Sequence, residues 1–289
     1  MPTVISMLRV SINPERLQKG PLRGRVHSVF RHAVNFLMED ARFVSLTTAP
    51  NPLAPEGMLA GHQAFGPWIT PGSLLPFNAG STAEMRSDAL DAAGFRLSFE
   101  EAAHLDDRAS TLEDPIGLLQ LLSGWLPETL NERGAVLHLR QESLEGSERM
   151  LDLESALQSA QAGCDASEDL RRALQKLIGF GEGLTPSGDD FTVGIVWAAC
   201  VLPRARAQLL PSFDEALAPL LHKTNDVSAQ MLRFALEGRF SEPLVRLAQA
   251  RQPADRFAAL EAVASIGHTS GRDTLCGVHF GLKRLLTAT

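Results

Sequence analysis

The sequence predicts an α+β protein: a β-rich, barrel-like N-terminal domain over residues 1–114, followed by a mainly helical domain over residues 115–289. Two patterns carry this reading. Up to about residue 112 the chain shows short apolar runs of period two, broken by Gly, Pro and Asn. From Asp114-Pro115 onward, apolar residues recur at three- and four-residue spacing. A chain of 289 residues with 44% hydrophobic residues can also bury a core without disulfide or metal staples.

In the first half, Val26, Ser28 and Phe30, then Val34 and Phe36, alternate as strand residues do. Phe43 to Thr48 is a compact β-branched and aromatic run, stopped by Ala49-Pro50-Asn51-Pro52. Turn signals follow at Pro55-Glu56-Gly57, Gly66-Pro67, Pro71-Gly72 and Asn78-Ala79-Gly80. Between them, Met58-Leu59-Ala60, Trp68-Ile69 and Leu74-Leu75 are too short for helices. These features suit a small antiparallel β domain.

The second half opens with Asp114 as a cap and Pro115 at the first helical position. Ile116, Leu118, Leu119, Leu122, Trp125 and Leu126 form the apolar stripe of that helix. Leu151 to Ile178 holds one or two more helices, with a break at Gly163. Phe191 to Leu202 is apolar nearly all round, which marks a buried helix ending before Pro203. Segments 205–221, 225–238, 242–250, 254–266 and 271–287 complete the helical half, punctuated by Pro211, Pro243 and Pro253. Thr224-Asn225-Asp226-Val227-Ser228 reads as a helix cap, and His138 as a satisfied, partly buried histidine.

Charge excludes some partners. Lys plus Arg number 27 against 34 Asp plus Glu, a net charge of −7. Nucleic acid and anionic membrane surfaces want clustered positive charge, so neither is expected as a partner. A local site for a small anion is compatible. Cys164, Cys200 and Cys276 are far apart and odd in number, as expected of buried thiols in a reducing compartment. The start of the chain lacks a secretory apolar region, and no stretch approaches a membrane span, so a cytoplasmic location is expected.

The most informative segment runs from Gly179 to Asp190, Gly-Phe-Gly-Glu-Gly-Leu-Thr-Pro-Ser-Gly-Asp-Asp. Its glycines allow positive φ and close backbone approach to a ligand. Pro186 stiffens the entry, Ser187 can cap the helix that follows, and backbone N–H groups at that helix start can cradle an anion. Glu182, Asp189 and Asp190 would repel an anion unless a Mg²⁺ or K⁺ neutralised them, or unless an Asp accepted hydrogen bonds from a ligand amide. No strand precedes the loop, so this is no dinucleotide fingerprint.

An echo lies at Gly267 to Gly277. Both segments share Ser-Gly-x-Asp-x-x-x-Gly, as Ser187-Gly188-x-Asp190 with Gly194 and Ser270-Gly271-x-Asp273 with Gly277. In both, the serine would cap a helix whose later glycine permits a tight crossing, and the two helix starts could converge on one pocket. Arg272 would supply positive charge there and His268 a donor that titrates near neutrality. The competing explanation is a capping box that only stabilises each helix start. Arg25 and His27, in Gly24 to Phe30, fall on one face of a strand and could bind a carboxylate or phosphate, or lie on a solvated face. No Ser-His-Asp order or nucleophile elbow is present; Ser187 would need His268 nearby to become nucleophilic.

At these residues the chain resembles the AllH-like family. Gly179 to Phe191 looks like the family hallmark; Gly24 to Phe30, the Thr224 to Gly238 stretch and His268 to Asp273 are similar to it as well. The resemblance implies one subunit of an oxamate carbamoyltransferase in anaerobic allantoin breakdown. That enzyme moves a carbamoyl group between oxalurate and phosphate, giving oxamate and carbamoyl phosphate, and is assembled with two other proteins.

The candidate groups are therefore these. Ser187, Asp189 and Asp190 stand as catalytic residues. Gly181, Gly183, Thr185, Gly188, His268, Ser270 and Arg272, with Arg25 and His27, stand as substrate-binding residues. Asp189, Asp190 and Asp273 are the oxygen ligands for any Mg²⁺ or K⁺. The expected partners are other carbamoyltransferase subunits and a small anionic or ureido metabolite. Two other classes compete: a stand-alone metal-dependent enzyme built on the aspartates, and a metabolite-binding subunit without chemistry of its own.

Overall fold

The structure is a computed structural model that describes residues 2–18, 20–61, 64–66, 75–129 and 148–286. His138, Trp68-Ile69, Pro67, Pro71-Gly72 and Leu74 lie outside the described residues. The chain forms two compact units, Met1–Asp107 and Arg108–Thr289.

The first unit is an eight-stranded barrel. Its strands are β1 (Thr3–Val10), β2 (Leu22–Val29), β3 (Ala33–Met38), β4 (Phe43–Thr48), β5 (Gly57–Ala60), β6 (Thr82–Met85), β7 (Ala89–Ala92) and β8 (Phe95–Ser98). The order β5-β4-β3-β2-β6-β7-β8-β1 is closed by pairing of β1 with β5. A short β9 (Ala103–His104) lies beside the end of β1. Closure removes the open edges that a sheet of this size would otherwise expose.

The period-two runs are the barrel wall. Val26, Val34, Phe36, Val44, Leu46 and Met58 point into its core, where Phe36, Phe65, Phe77 and Phe95 pack with ring centroids 5.5–5.7 Å apart. The sheet is mixed rather than wholly antiparallel: β4–β5, β1–β8 and β1–β9 are parallel. Two short antiparallel neighbours can be joined by a tight turn, whereas the parallel β5 is reached through a loop that runs back along β4, so that Gly57 starts beside Ser45.

Nine helices make up the described part of the second unit. They are α1 (Pro115–Thr129), α2 (Glu148–Gln161), α3 (Ser167–Gln175), α4 (Ser187–Val201), α5 (Pro203–Leu217), α6 (Asp226–Leu236), α7 (Glu242–Gln249), α8 (Pro253–Ala264) and α9 (Ser270–Leu286). A 3₁₀ turn, Ala218–Lys223, follows α5. Asp114 caps α1, accepting from the Gly117 N–H at 2.9 Å while also pairing with Arg256. Gly163, at φ 80°, breaks the chain between α2 and α3.

Helix α4 is buried along almost its whole length, as its all-round apolar sequence requires, and Trp197 inside it donates to the Leu244 carbonyl at 3.1 Å. Some local expectations are corrected. The helix begins at Ser187, four residues before the apolar run, because its first turn is polar but still helical. Ile116 is 62% exposed, on the solvent side of α1. Pro211 lies inside α5, exposed, where it forfeits only one i→i−4 bond instead of ending the helix. Cys164 is exposed, in the turn after α2, while Cys200 and Cys276 are buried. Burial pushes the Cys200 thiol up to about 12, so it is inert.

Candidate functional site

The glycine loop connects α3 to α4. Gly179, Gly181 and Gly183 have φ of 78°, 111° and 103°. A side chain is excluded at Gly179 and Gly181 by space as well as by backbone: a methyl group would come 2.4 Å from the Lys223 carbonyl oxygen and 2.8 Å from the Ser187 nitrogen. The loop thus folds tightly against the 3₁₀ turn on one side and the start of α4 on the other.

Asp189 holds this loop in place. Its carboxylate is buried and accepts the Gly179 N–H at 2.7 Å on Oδ1. On Oδ2 it accepts the hydroxyls of Thr224 and of Ser228, the latter at 2.6 Å. Three donors occupy both oxygens, so Asp189 ties the loop to the start of α6. Asn225 adds a second tie. Its Oδ1 caps α6 by accepting from the Val227 and Ser228 N–H groups at 3.1 Å, and its Nδ2 donates to the Leu184 carbonyl at 2.7 Å. The capping expectation for Thr224–Ser228 holds, but these residues also build the site. Their side-chain roles were missed because their partners lie about 35 to 40 residues away in sequence.

Ser187 does not cap α4. Pro186 occupies that position, and Ser187 is the first helical residue, buried. The N–H groups of the helix start are taken by carbonyls of the chain itself: Gly188 donates to Phe180 at 2.8 Å, Asp189 and Asp190 to Pro186 at 2.9 and 3.1 Å. The anion cradle expected there is therefore narrower than the sequence suggests. Ser270 is likewise the first residue of α9, where Gly271 donates to Ile266 and Asp273 to Thr269, both at 3.0 Å.

The two Ser-Gly motifs meet. The Thr185 and Ser270 hydroxyls lie 2.7 Å apart, and both bond the carboxyl of Asp190. Behind this contact α4 and α9 pack more extensively than any other pair of the described helices, and they do so reciprocally. A methyl group at Gly194 would sit 2.1 Å from the Thr274 carbonyl oxygen; one at Gly277 would sit 1.9 Å from that of Phe191. Thr274 and Phe191 stand three residues before the two glycines. One turn further on, Gly281 faces the Ala198 methyl, which would lie 2.7 Å from an added side chain. The shared pattern thus builds a local two-fold crossing, start beside start, like a self-complementary interface within one chain.

Two carboxyls lie at this crossing. Asp273 is 1% exposed. Asp190 is half-buried, with an Oδ2 that is shielded from solvent and has no hydrogen-bond partner among the described residues. Burial pushes the Asp190 carboxyl well above the usual carboxylate range; the Ser270 and Thr185 hydroxyls oppose this, and the charges of Asp273 and Asp189 reinforce it. Its neighbours differ in exposure. Arg272 is half-buried, with an Nε that lacks a hydrogen-bond partner among the described residues. His268 and Glu182 are exposed.

Arg25 and His27 belong to the barrel. Arg25 is exposed on β2. A bulge between Val26 and Ser28 breaks the alternation that would carry both residues on one face. His27 is half-buried, tilted against Phe43 at 4.8 Å, with Nδ1 3.3 Å from the Ser28 hydroxyl. Among the described residues no group of three or more His, Cys, Asp and Glu side chains is arranged as a metal site. No described helix is long and apolar enough to cross a membrane.

No solved structure matches the chain. The family model for the AllH family N-terminal domain matches residues 4–104, the whole barrel. The model described as oxamate carbamoyltransferase subunit AllH matches residues 177–282, which contain the glycine loop, the Asp189 ties, both Ser-Gly motifs and the α4–α9 crossing. With barrel and crossing both matched over most of its length, the chain belongs to the AllH family.

Proposed function

We propose that this chain is a subunit of a cytoplasmic oxamate carbamoyltransferase complex that moves a carbamoyl group between oxalurate and phosphate in allantoin degradation. The observation that carries the reading is the junction of Thr185, Asp190 and Ser270. Two segments about 80 residues apart in sequence bring together two hydroxyls and a carboxyl that burial pushes above the usual carboxylate range, all within the span of the family match.

The chemistry suits a carbamoyl ligand. In the phosphorolytic direction a phosphate oxygen bonds to the ureido carbonyl carbon, the carbon–nitrogen bond breaks, and the nitrogen leaves in oxamate carrying a proton. Asp190, linked to two hydroxyls, is the group that gives or takes that proton. Arg272 and His268 hold the carboxylate or phosphate end, with the backbone of Gly181, Gly183 and Gly188 shaping the loop around it. Ser187 lies at the helix start beside them, and Asp189 keeps the loop in register.

The test uses the full chain co-purified with its partner subunits. Carbamoyl phosphate formed from oxalurate and phosphate is measured for wild type and Asp190→Asn. The reading expects turnover in wild type and a loss of about 100-fold or more in the variant, the range for a general acid–base group. Turnover unchanged in Asp190→Asn would remove Asp190 from the mechanism; no turnover by the wild-type complex would reject the assignment.

A further inference from the structure

We propose that the Ser187 hydroxyl donates to the ureido carbonyl oxygen during carbamoyl transfer, which makes Ser187 a catalytic residue that stabilises charge and not a nucleophile. This role rests on the carbamoyl-transfer reading and lies within it. Its basis is a buried group without a partner. Ser187 is 3% exposed, and its hydroxyl enters no hydrogen bond among the described residues. A hydroxyl so buried is costly to leave unpaired. Ser187 opens the 15-residue helix α4, where its own N–H and those of Gly181 to Thr185 meet no protein acceptor among the described residues. The hydroxyl faces the glycine loop. A methyl group built on Gly181 would sit 2.8 Å from the Ser187 nitrogen and 3.2 Å from its Oγ. A glycine at 181 therefore leaves both polar atoms of Ser187 uncovered on that side.

The surroundings select the role. A serine nucleophile needs a base at its hydroxyl. Asp189 is held by Gly179, Thr224 and Ser228, Asp190 bonds the hydroxyls of Thr185 and Ser270, and His268 is exposed. None of them is bonded to Ser187, so its proton stays on Oγ and serves an acceptor. Charge then selects the acceptor. Gly179 to Asp190 carries Glu182, Asp189 and Asp190 and no Lys or Arg. A phosphate would enter that stretch with its full negative charge, whereas a ureido carbonyl enters neutral and gains charge only as it reacts. As a phosphate oxygen bonds to the ureido carbon, the carbonyl π pair moves onto the carbonyl oxygen, which accepts from the Ser187 O–H. The pair then returns, the carbon–nitrogen bond breaks, and the oxamate nitrogen leaves with the proton supplied through Asp190. Ser187 neither gains nor loses a proton in this step, and its hydroxyl acts where charge develops.

The experiment uses the full chain co-purified with its partner subunits and follows carbamoyl phosphate formed from oxalurate and phosphate. Wild type is compared with Ser187→Ala, Ser187→Cys and Asp190→Asn. Ser187→Cys keeps the shape and replaces the hydroxyl by a weak donor, so it carries the comparison if Ser187→Ala fails to fold. Melting curves establish which variants are folded. In Ser187→Ala kcat should fall roughly 100- to 1,000-fold, as for loss of one oxyanion donor, and Ser187→Cys should fall in the same direction. KM for oxalurate and for phosphate should stay within about threefold of wild type, a split that a merely structural role would not produce. A kcat within about threefold of wild type in a folded Ser187 variant, or a loss carried by KM alone, would overturn the proposal. Mass spectrometry after incubation with oxalurate alone should find no carbamoyl group on Ser187; finding one would make the residue a nucleophile and overturn it too. The two failures are distinct: no turnover by wild type rejects the carbamoyl-transfer reading and this role with it, whereas active wild type, inactive Asp190→Asn and active Ser187→Ala reject this role alone.

Discussion

The two Ser-Gly motifs share a pattern and differ at its third position. Ser187-Gly188-Asp189-Asp190 carries a buried acid there; Ser270-Gly271-Arg272-Asp273 carries a half-buried base. What they share builds the frame: serine at the first helical residue, a glycine tucked against a carbonyl of the preceding segment, an Asp with a carboxyl oxygen shielded from solvent, and a glycine at the crossing. What differs sets the job of each side. Asp189 turns away from the crossing and holds the glycine loop, whereas Arg272 brings a cation to the same neighbourhood. Duplicated geometry with one exchanged residue is thus enough to make one half a scaffold for the glycine loop and to leave the other with a half-buried cation.

The largest expected effect comes from the shared frame. Gly277→Val would drive a side chain into the Phe191 carbonyl, which belongs to a buried helix backbone that cannot step aside. A loss of about 3 kcal/mol or more is expected, at the upper end for overpacking, which lowers the melting temperature by roughly 6–12 °C. Gly194→Val should behave alike, since its contact with the Thr274 carbonyl mirrors the first. A much milder effect at one of the two would break the two-fold description of the crossing. Thermal denaturation measures both.

Next comes the scaffold residue. Asp189→Ala strands three donors, those of Gly179, Thr224 and Ser228, and should cost roughly 3 kcal/mol in chemical denaturation. Arg272→Ala should change stability by no more than about 0.5–1 kcal/mol while weakening binding of oxamate or phosphate, as befits a half-buried side chain. Equal stability losses for the two variants would erase the contrast between the motifs. A smaller effect belongs to Asn225→Ala, about 1 kcal/mol for a lost cap, with faster hydrogen exchange in the glycine loop once the Leu184 carbonyl is released.

Much of this was legible beforehand, and the illegible parts have physical causes. The alternation of Val26, Val34 and Phe36 marks a wall with one buried side, and the apolar run from Phe191 marks a buried helix. Barrel closure was not legible, because the pairing of β1 with β5 and β8 joins residues 50 to 90 positions apart and includes parallel neighbours. The Ser-Gly echo foretold a close helix crossing through Gly194 and Gly277. It could not separate Asp189 from Asp190: adjacent helical residues point about 100° apart, and which one meets α6 and which meets α9 depends on distant chain. The serines, too, read as caps from sequence, and one residue of displacement places them inside the helix instead. The bulge at His27 left no trace in the pattern of β2.

The central claim is that the two motifs form one structure around Asp190, and a double-mutant cycle on Thr185 and Ser270 tests it most directly. Thr185→Val, Ser270→Ala and the double variant are compared by urea denaturation. Their hydroxyls lie 2.7 Å apart and share the Asp190 carboxyl, so the account predicts a coupling of about 1 kcal/mol, with the double variant less destabilised than the sum of the singles. Additivity within roughly 0.3 kcal/mol, the behaviour of independent sites, would contradict it.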